Sequence, residues 1–219
     1  MTAQEYEQFL FPNLTFCIFA ENGSCYMDIH EIINKIYPIP ETSMDKLTKH
    51  LSKVTYPKGH HILEAGKTET NIFFIEKGIV RAYIPVDGKE VTFWIGKEGS
   101  AIVSLKSYVD NQQGYESMES MELMEESELY LLKRKDLQEL FKEDIHIANW
   151  GRKFAESEFM QTEERLISLL FTNASERYMK LIQNNPELLQ RMPLECLASY
   201  LGITPVSLSR IRAKLKRML

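Results

Sequence analysis

The chain has little of what several functional classes require. Three cysteines among 219 residues cannot build a disulfide framework. Cys17 and Cys25 lie close together and Cys196 far away, a spacing that matches no metal-binding pattern and reads as buried thiols. No run approaches the ~18 apolar residues of a membrane span. The opening, Met1-Thr-Ala-Gln-Glu-Tyr-Glu, places acids where a secretion signal needs a basic stretch, so a cytoplasmic location without membrane attachment is expected. There is no Gly-rich phosphate loop, no nucleophile elbow and no metal-ligand cluster, so neither catalytic residues nor a metal are assigned and no enzyme is expected. Basic charge is also short. With 26 Lys+Arg against 31 Asp+Glu the net charge is −5, which taken whole argues mildly against nucleic acid as a partner.

What is present is an ordinary folding composition, 44% hydrophobic and 26% charged, long enough for one large domain or two small ones. Near the start, Ile29, Ile32, Ile33 and Ile36 fall at helical spacing over Asp28–Tyr37 and stop at Pro38-Ile-Pro40. A second helix is expected from Thr42, where Thr42-x-x-Asp45 resembles a capping pattern, running through Leu47, Leu51 and Val54. From Tyr56 to about Lys133 short strand-like runs alternate with turn signals: His61–Leu63, Asn71–Glu76, Ile79–Pro85, Glu90–Ile95 and Glu128–Leu132. Asp87-Gly88 between two of them is a strong hairpin signal. Strands at this spacing without intervening helices point to a sandwich or barrel.

A short helix over Lys135–Lys142 is followed from Asp144 by one of about 26 residues, roughly 39 Å long. Ile145, Ala148, Arg152, Ala155, Phe159, Thr162, Leu166 and Leu169 form one stripe on it, and Trp150, Phe154 and Met160 a second surface. Two apolar faces on one long helix imply that it covers its own domain and something else, which we read as a dimer seam. The last 47 residues are helical in texture. Ser175 is expected to cap a helix through Ile182, and Leu194–Ile211 has the pattern of a helix-turn-helix. Leu197, Ala198 and Leu201 face inward, Gly202 takes the tight turn, and Ile203, Leu208 and Ile211 pin a second helix opened by Thr204-Pro205. The outer face of that helix then holds Pro205, Val206, Ser209 and Arg210 for base edges. Thr204, Ser207, Arg212, Lys214, Lys216 and Arg217 are placed for phosphates. Residues 173–219 carry 8 Lys+Arg against 3 Glu, a charge of +5, and residues 1–172 the remaining −10, so the whole-chain average hides a basic end.

At this point the sequence resembles the Crp/Fnr family of bacterial transcription regulators over roughly residues 42–219. The stretches that carry the resemblance are Pro57-Lys-Gly59, Glu64-Ala-Gly66, Phe73-Phe-Ile-Glu-Lys-Gly78, Val80-Arg-Ala-Tyr83, Asp87-Gly-Lys-Glu90, Leu201-Gly-Ile-Thr-Pro205 and Ser207-Leu-Ser-Arg210, with Glu176-Arg-Tyr178. The resemblance implies an α+β fold: a double-stranded, jelly-roll-like β-roll of the cyclic-nucleotide-binding type, a long dimerisation helix and a winged helix-turn-helix. The implied division is 1–41 an N-terminal extension, 42–142 a sensor domain, 143–172 the dimerisation helix and hinge, and 173–219 the DNA-binding domain. The implied partners are palindromic double-stranded DNA, a second copy of the chain, RNA polymerase and a small-molecule effector of unidentified chemistry.

The family's usual effectors do not carry over. Where cyclic-AMP-binding relatives have Gly-Glu-Leu for the ribose, this chain reads Val103-Ser-Leu105. No Lys or Arg occurs from Ser107 to Leu132, an interval holding Glu116, Glu119, Glu122, Glu125, Glu126 and Glu128, so a cyclic nucleotide would meet no local cation. Three cysteines are one short of the four thiolates of an iron–sulfur sensor, and no residue supports haem. The position where many relatives carry a cytosine-reading Glu is Val206, whereas Arg210 matches the family's base-contacting Arg. The alternative class, a metal-binding cupin-type barrel or enzyme with an incidental helical end, rests on His60-His61 and Glu64; adjacent strand residues point to opposite faces, so both histidines cannot ligate one metal. A third reading, a sensor acting through protein partners without DNA, has no feature of its own.

Overall fold

A computed structural model describes residues 26–109 and 115–216, with the side chain of Lys216 outside that set. Cys17, Cys25, Arg217 and most of the N-terminal extension fall outside the described residues. Asp28 opens the first helix, α1 (Ile29–Ile36), with a full capping box: its carboxylate accepts from the His30 and Glu31 amides while Glu31 reaches back to the Asp28 amide. The next helix, α2 (Glu41–Thr48), begins behind Pro40 with no side-chain cap. It ends earlier than the sequence pattern implies, because Leu51 and Val54 belong to a strand, β1 (Leu51–Tyr56). In a strand an offset of three puts two side chains on opposite faces. Here both faces meet a core: Leu51 packs toward the helices and Val54 toward the second sheet, and the pair imitates a helical spacing.

The remaining strands are β2 (His61–Leu63), β3 (Ile72–Lys77), β4 (Val80–Val86), β5 (Lys89–Gly96), β6 (Ala101–Ile102), β7 (Ser120–Leu123) and β8 (Ser127–Leu132), with a four-residue helix α3 (Leu105–Tyr108) between β6 and β7. They form two four-stranded antiparallel sheets, ordered β1-β8-β3-β6 and β2-β7-β4-β5. β3 sits inside the first sheet with both faces covered. Phe73 and Ile75 join the core between the sheets, and Ile72 and Phe74 point to the helices behind. The β4–β5 hairpin turns at Asp87 (φ 49°) and Gly88 (φ 73°), both left-handed as a type I′ turn requires. β6 and β7 did not stand out in the sequence, β6 being two residues long and β7 carrying Ser and Glu.

Behind the first sheet lie α4 (Arg134–Glu143) and the long α5 (Ile145–Phe171). Trp150 is fully buried there, stacked on Phe154, tilted against Phe74, and donating its indole N–H to the Ile33 carbonyl at 3.1 Å. Asp144 caps α5 through the His146 amide and takes Lys46 at 2.9 Å, which ties α2 to the helix start. The C-terminal part is α6 (Ala174–Asn184), capped by Asn173 rather than Ser175, then α7 (Leu188–Arg191), α8 (Leu194–Tyr200) and α9 (Pro205–Lys216). No strand accompanies these helices among the described residues, so the wing implied by the resemblance has no counterpart there. No described helix is long and apolar enough to cross a membrane.

Candidate nucleic-acid interface

The geometry of the last two helices follows from a few side chains. Leu197, Ala198, Leu201 and Leu208 are buried in one cluster, and Ile203, Ile211 and Leu215 close its edge. The small Ala198 lets the helices approach. Between them Gly202 takes φ 68°, a left-handed conformation that a side chain would strain. Its amide donates to Ser199 O at 2.9 Å and the Ile203 amide to Ala198 O at 3.0 Å, closing the turn. Thr204 caps α9 by accepting from the Ser207 amide at 3.2 Å, and Pro205 occupies the first helical position, where the missing N–H costs nothing.

With Leu208 pinned inside, the opposite face of α9 is left in solvent. Val206 is 60% exposed, and Ser209, Arg210, Ala213 and Lys214 are exposed beside it. Thr204 is exposed, and Pro205 and Ser207 are half-buried. Arg212 sits differently from the other basic residues of α9. Its guanidinium lies over the Tyr178 ring at 5.7 Å, and its Nε and one terminal nitrogen have no hydrogen-bond partner among the described residues.

Three arginines to which the sequence assigned no role hold this unit in place. Arg165 of α5 lies 3.8 Å over the Tyr200 ring and donates to the Tyr200 carbonyl. Arg177 of α6 donates to the Leu201 carbonyl at 3.0 Å and to that of Thr172. Both satisfy carbonyls that the end of α8 leaves unpaired. Arg191 of α7 bridges to Glu98 at 3.0 Å in the β5–β6 turn and to Glu125 at 3.3 Å in the β7–β8 turn. The Ser199 hydroxyl donates to the Glu90 carbonyl at 2.9 Å and accepts from the Thr92 amide at 2.8 Å, so α8 occupies the free edge of β5. The neighbouring Cys196 is buried 3.3 Å from the Arg81 guanidinium, and burial pushes its thiol pKa up.

On α5 the two surfaces separate as they must. Trp150 and Phe154 are buried, whereas Ile145, Arg152, Ala155, Phe159, Thr162 and Leu166 are exposed and Ala148 is half-buried. Phe159 is 72% and Leu166 55% exposed. Arg152 pairs with Glu156 along the helix. Met160, expected on the second surface, is exposed.

Inside the roll is a cavity of about 290 Å³, bounded by β4, β5, β6, α3, the approach to β7, and Glu158 and Thr162 of α5. Val103 and Leu105 line it, while the Ser104 hydroxyl, at the position of the missing ribose carboxylate, lies 3.5 Å from that of Ser117. Two details correct the sequence picture of this region. Lys106, one residue before the cation-free interval, borders the cavity. Of the interval's glutamates only Glu119 lines it; Glu122, Glu125 and Glu128 pair outside with Arg81, Arg191 and Lys53. Elsewhere on the roll His60 stacks on Tyr56, and His61 Nε2 lies 3.1 Å from the Tyr83 hydroxyl.

Two antiparallel sheets rolled around a cavity, a long helix and a docked helix-turn-helix make up the described chain. Comparison with known proteins agrees: residues 53–144 match the cyclic nucleotide-binding domain family, so the roll is a domain of that type. No curated protein sequence matches the chain significantly. Among solved structures, FixK2 from Bradyrhizobium japonicum is similar at 17% identity, with 77% of this chain and 85% of that one covered and a TM-score of 0.65. A transcriptional regulator assigned to the Crp/Fnr family, from Eubacterium rectale, gives 14%, 84%, 88% and 0.64 for the same measures, and the catabolite activator protein of Thermus thermophilus 19%, 84%, 86% and 0.51. The fold of the chain is that of the Crp/Fnr transcriptional regulators.

Proposed function

We propose that the chain is a sequence-specific, DNA-binding transcriptional regulator acting as a homodimer, and that its work is binding rather than catalysis. The observation that carries this reading is the free face of α9. A helix held by Leu208 on one side leaves Val206, Ser209 and Arg210 in solvent on the other, at the end that enters a major groove. Arg210 can donate two hydrogen bonds to a guanine, Ser209 serves a base or phosphate, and Val206 suits a thymine methyl. Lys214 supplies charge for the backbone. The second copy is supported by the exposed Phe159 and Leu166 on α5, apolar groups that a solitary chain has no reason to align. The effector, in this reading, is not cyclic AMP, and neither an iron–sulfur cluster nor haem is held. RNA polymerase is the partner through which such a regulator would act.

The test is selection of bound fragments from the source genome, followed by titration of the recovered site and of random duplex. Arg210→Ala costs about 1–3 kcal/mol on the site and relaxes one base-pair position, whereas Lys214→Ala weakens both duplexes alike. Equal losses on site and random DNA for Arg210→Ala would remove its assigned role.

A further inference from the structure

The chemistry of the roll cavity defines a ligand class. Most of its wall is hydrocarbon, from side chains such as Ile84, Trp94, Ile102, Val103, Leu105 and Met118. The polar groups on it are few and mostly committed. The Ser117 hydroxyl lies 3.5 Å from that of Ser104 and accepts from the Glu119 amide at 3.0 Å. Lys106 is exposed, so its ammonium keeps its water at the rim. Glu119 and Glu158 add two carboxylates against that single cation, and no arginine lines the cavity. A phosphate ester would therefore bring its charge toward two like charges without the bidentate donors such a group needs. A cationic ligand would leave its hydration for a largely apolar wall.

Glu158 is the group that gives the cavity a direction. It reaches in from α5, and the hydrogen bond it accepts among the described residues is a long one, from Gln161 Nε2 at 3.4 Å. Burial pushes its carboxyl pKa up. Its acceptor capacity is thus unspent. The volume, about 290 Å³, equals that of about ten liquid waters, room for a compact ring system. We infer that this cavity binds a small, uncharged, mostly apolar molecule whose single N–H or O–H donor is accepted by Glu158. The regulatory meaning of the site rests on the transcription-regulator reading; the binding itself does not.

A series on one ring scaffold tests the inference by calorimetry on the purified chain: 1-naphthol, 1-methoxynaphthalene without the donor, 1-naphthyl phosphate and 1-naphthylmethylamine. 1-Naphthol binds one per chain, at least tenfold tighter than each of the others. Glu158→Leu abolishes the preference of naphthol over the methoxy compound without abolishing binding. Met118→Trp, which fills the mouth from an exposed position away from the α5 stripe, blocks the whole series while circular dichroism and melting temperature stay near those of the parent. Tighter binding of the phosphate, the amine or cyclic AMP overturns the assignment, as does naphthol binding that survives Met118→Trp. A chain that binds naphthol as stated yet shifts no DNA would refute the regulator reading and leave the cavity assignment standing. DNA binding without naphthol binding would do the reverse.

Discussion

Glu98 and Asp144 are two carboxylates removed from water, and each depends on named partners. The Glu98 side chain is 1% exposed and is served by Arg191 and by the Gly78 amide at 2.8 Å. Removing Arg191 strands that charge between the roll and the C-terminal helices. Arg191→Met is expected to cost about 3–5 kcal/mol in urea unfolding, whereas Lys142→Met, whose partner Glu139 is exposed, changes little. A similar small change for both would place the interface network outside the stability of the fold. The Asp144 carboxyl is held down to about 2, chiefly by Lys46 and further by the His146 and Ile147 amides and the Ser43 hydroxyl, against the upward pull of burial. The folded pKa lies below the unfolded value of about 3.9. Its contribution is therefore complete above that value and fades as pH falls toward about 2. Urea midpoints measured between pH 5 and pH 2 should fall more steeply for the parent than for Asp144→Asn, and parallel slopes would remove Asp144 as a cause of acid sensitivity.

At the scale of elements the C-terminal helix pair was largely legible, because a helix-turn-helix uses a small apolar residue, a glycine and three apolar pins at fixed offsets, and Ala198, Gly202, Ile203, Leu208 and Ile211 supply them with no competing pattern. The roll was less so. Leu51 and Val54 imitate a helix because a strand between two cores buries both faces. Glu122 counted toward a cation-free interval although it lies on the outer face of β7, paired with Arg81, and Glu125 lies in the β7–β8 turn, paired with Arg191. Charge counted along a strand ignores its alternation. The roles of Arg165 and Arg177 were not legible, although Arg177 stands in one of the stretches that carry the resemblance, since their targets are backbone carbonyls about 35 and 24 positions away along the chain, which no local motif encodes. Gly151, a weak point of the long helix by propensity, has a packing reason: a Cβ there would lie 2.4 Å from Phe141 Cζ on α4. Gly151→Ala gains about 1 kcal/mol of helix propensity but forces a rigid ring aside. We expect a net loss of about 1–2 kcal/mol in the thermal unfolding free energy. A gain would mean that α4 yields freely against α5.

For the molecule as a whole the two ends of the charge distribution and the two faces of α5 lead to one arrangement. In the proposed regulator the acidic roll repels a duplex, the basic end attracts it, and a single α9 offers only a few base contacts. A second helix at a fixed distance converts a weak half-site interaction into an effectively intramolecular one. The surface that can fix that distance is the exposed stripe of α5, because its other face is already spent on Phe74, Ile33 and Phe154 around Trp150. Phe159→Glu places a charge in the middle of the stripe at a position 72% exposed in the single chain, so the fold of the monomer has no cause to change. In sedimentation the variant is expected to run as a monomer where the parent runs as a dimer. On a site with two half-sites its affinity should drop at least a hundredfold, toward that for an isolated half-site, which both proteins bind alike. A variant that stays dimeric would move the seam off this stripe, and one that becomes monomeric yet keeps full affinity would mean that the two half-sites are not read together.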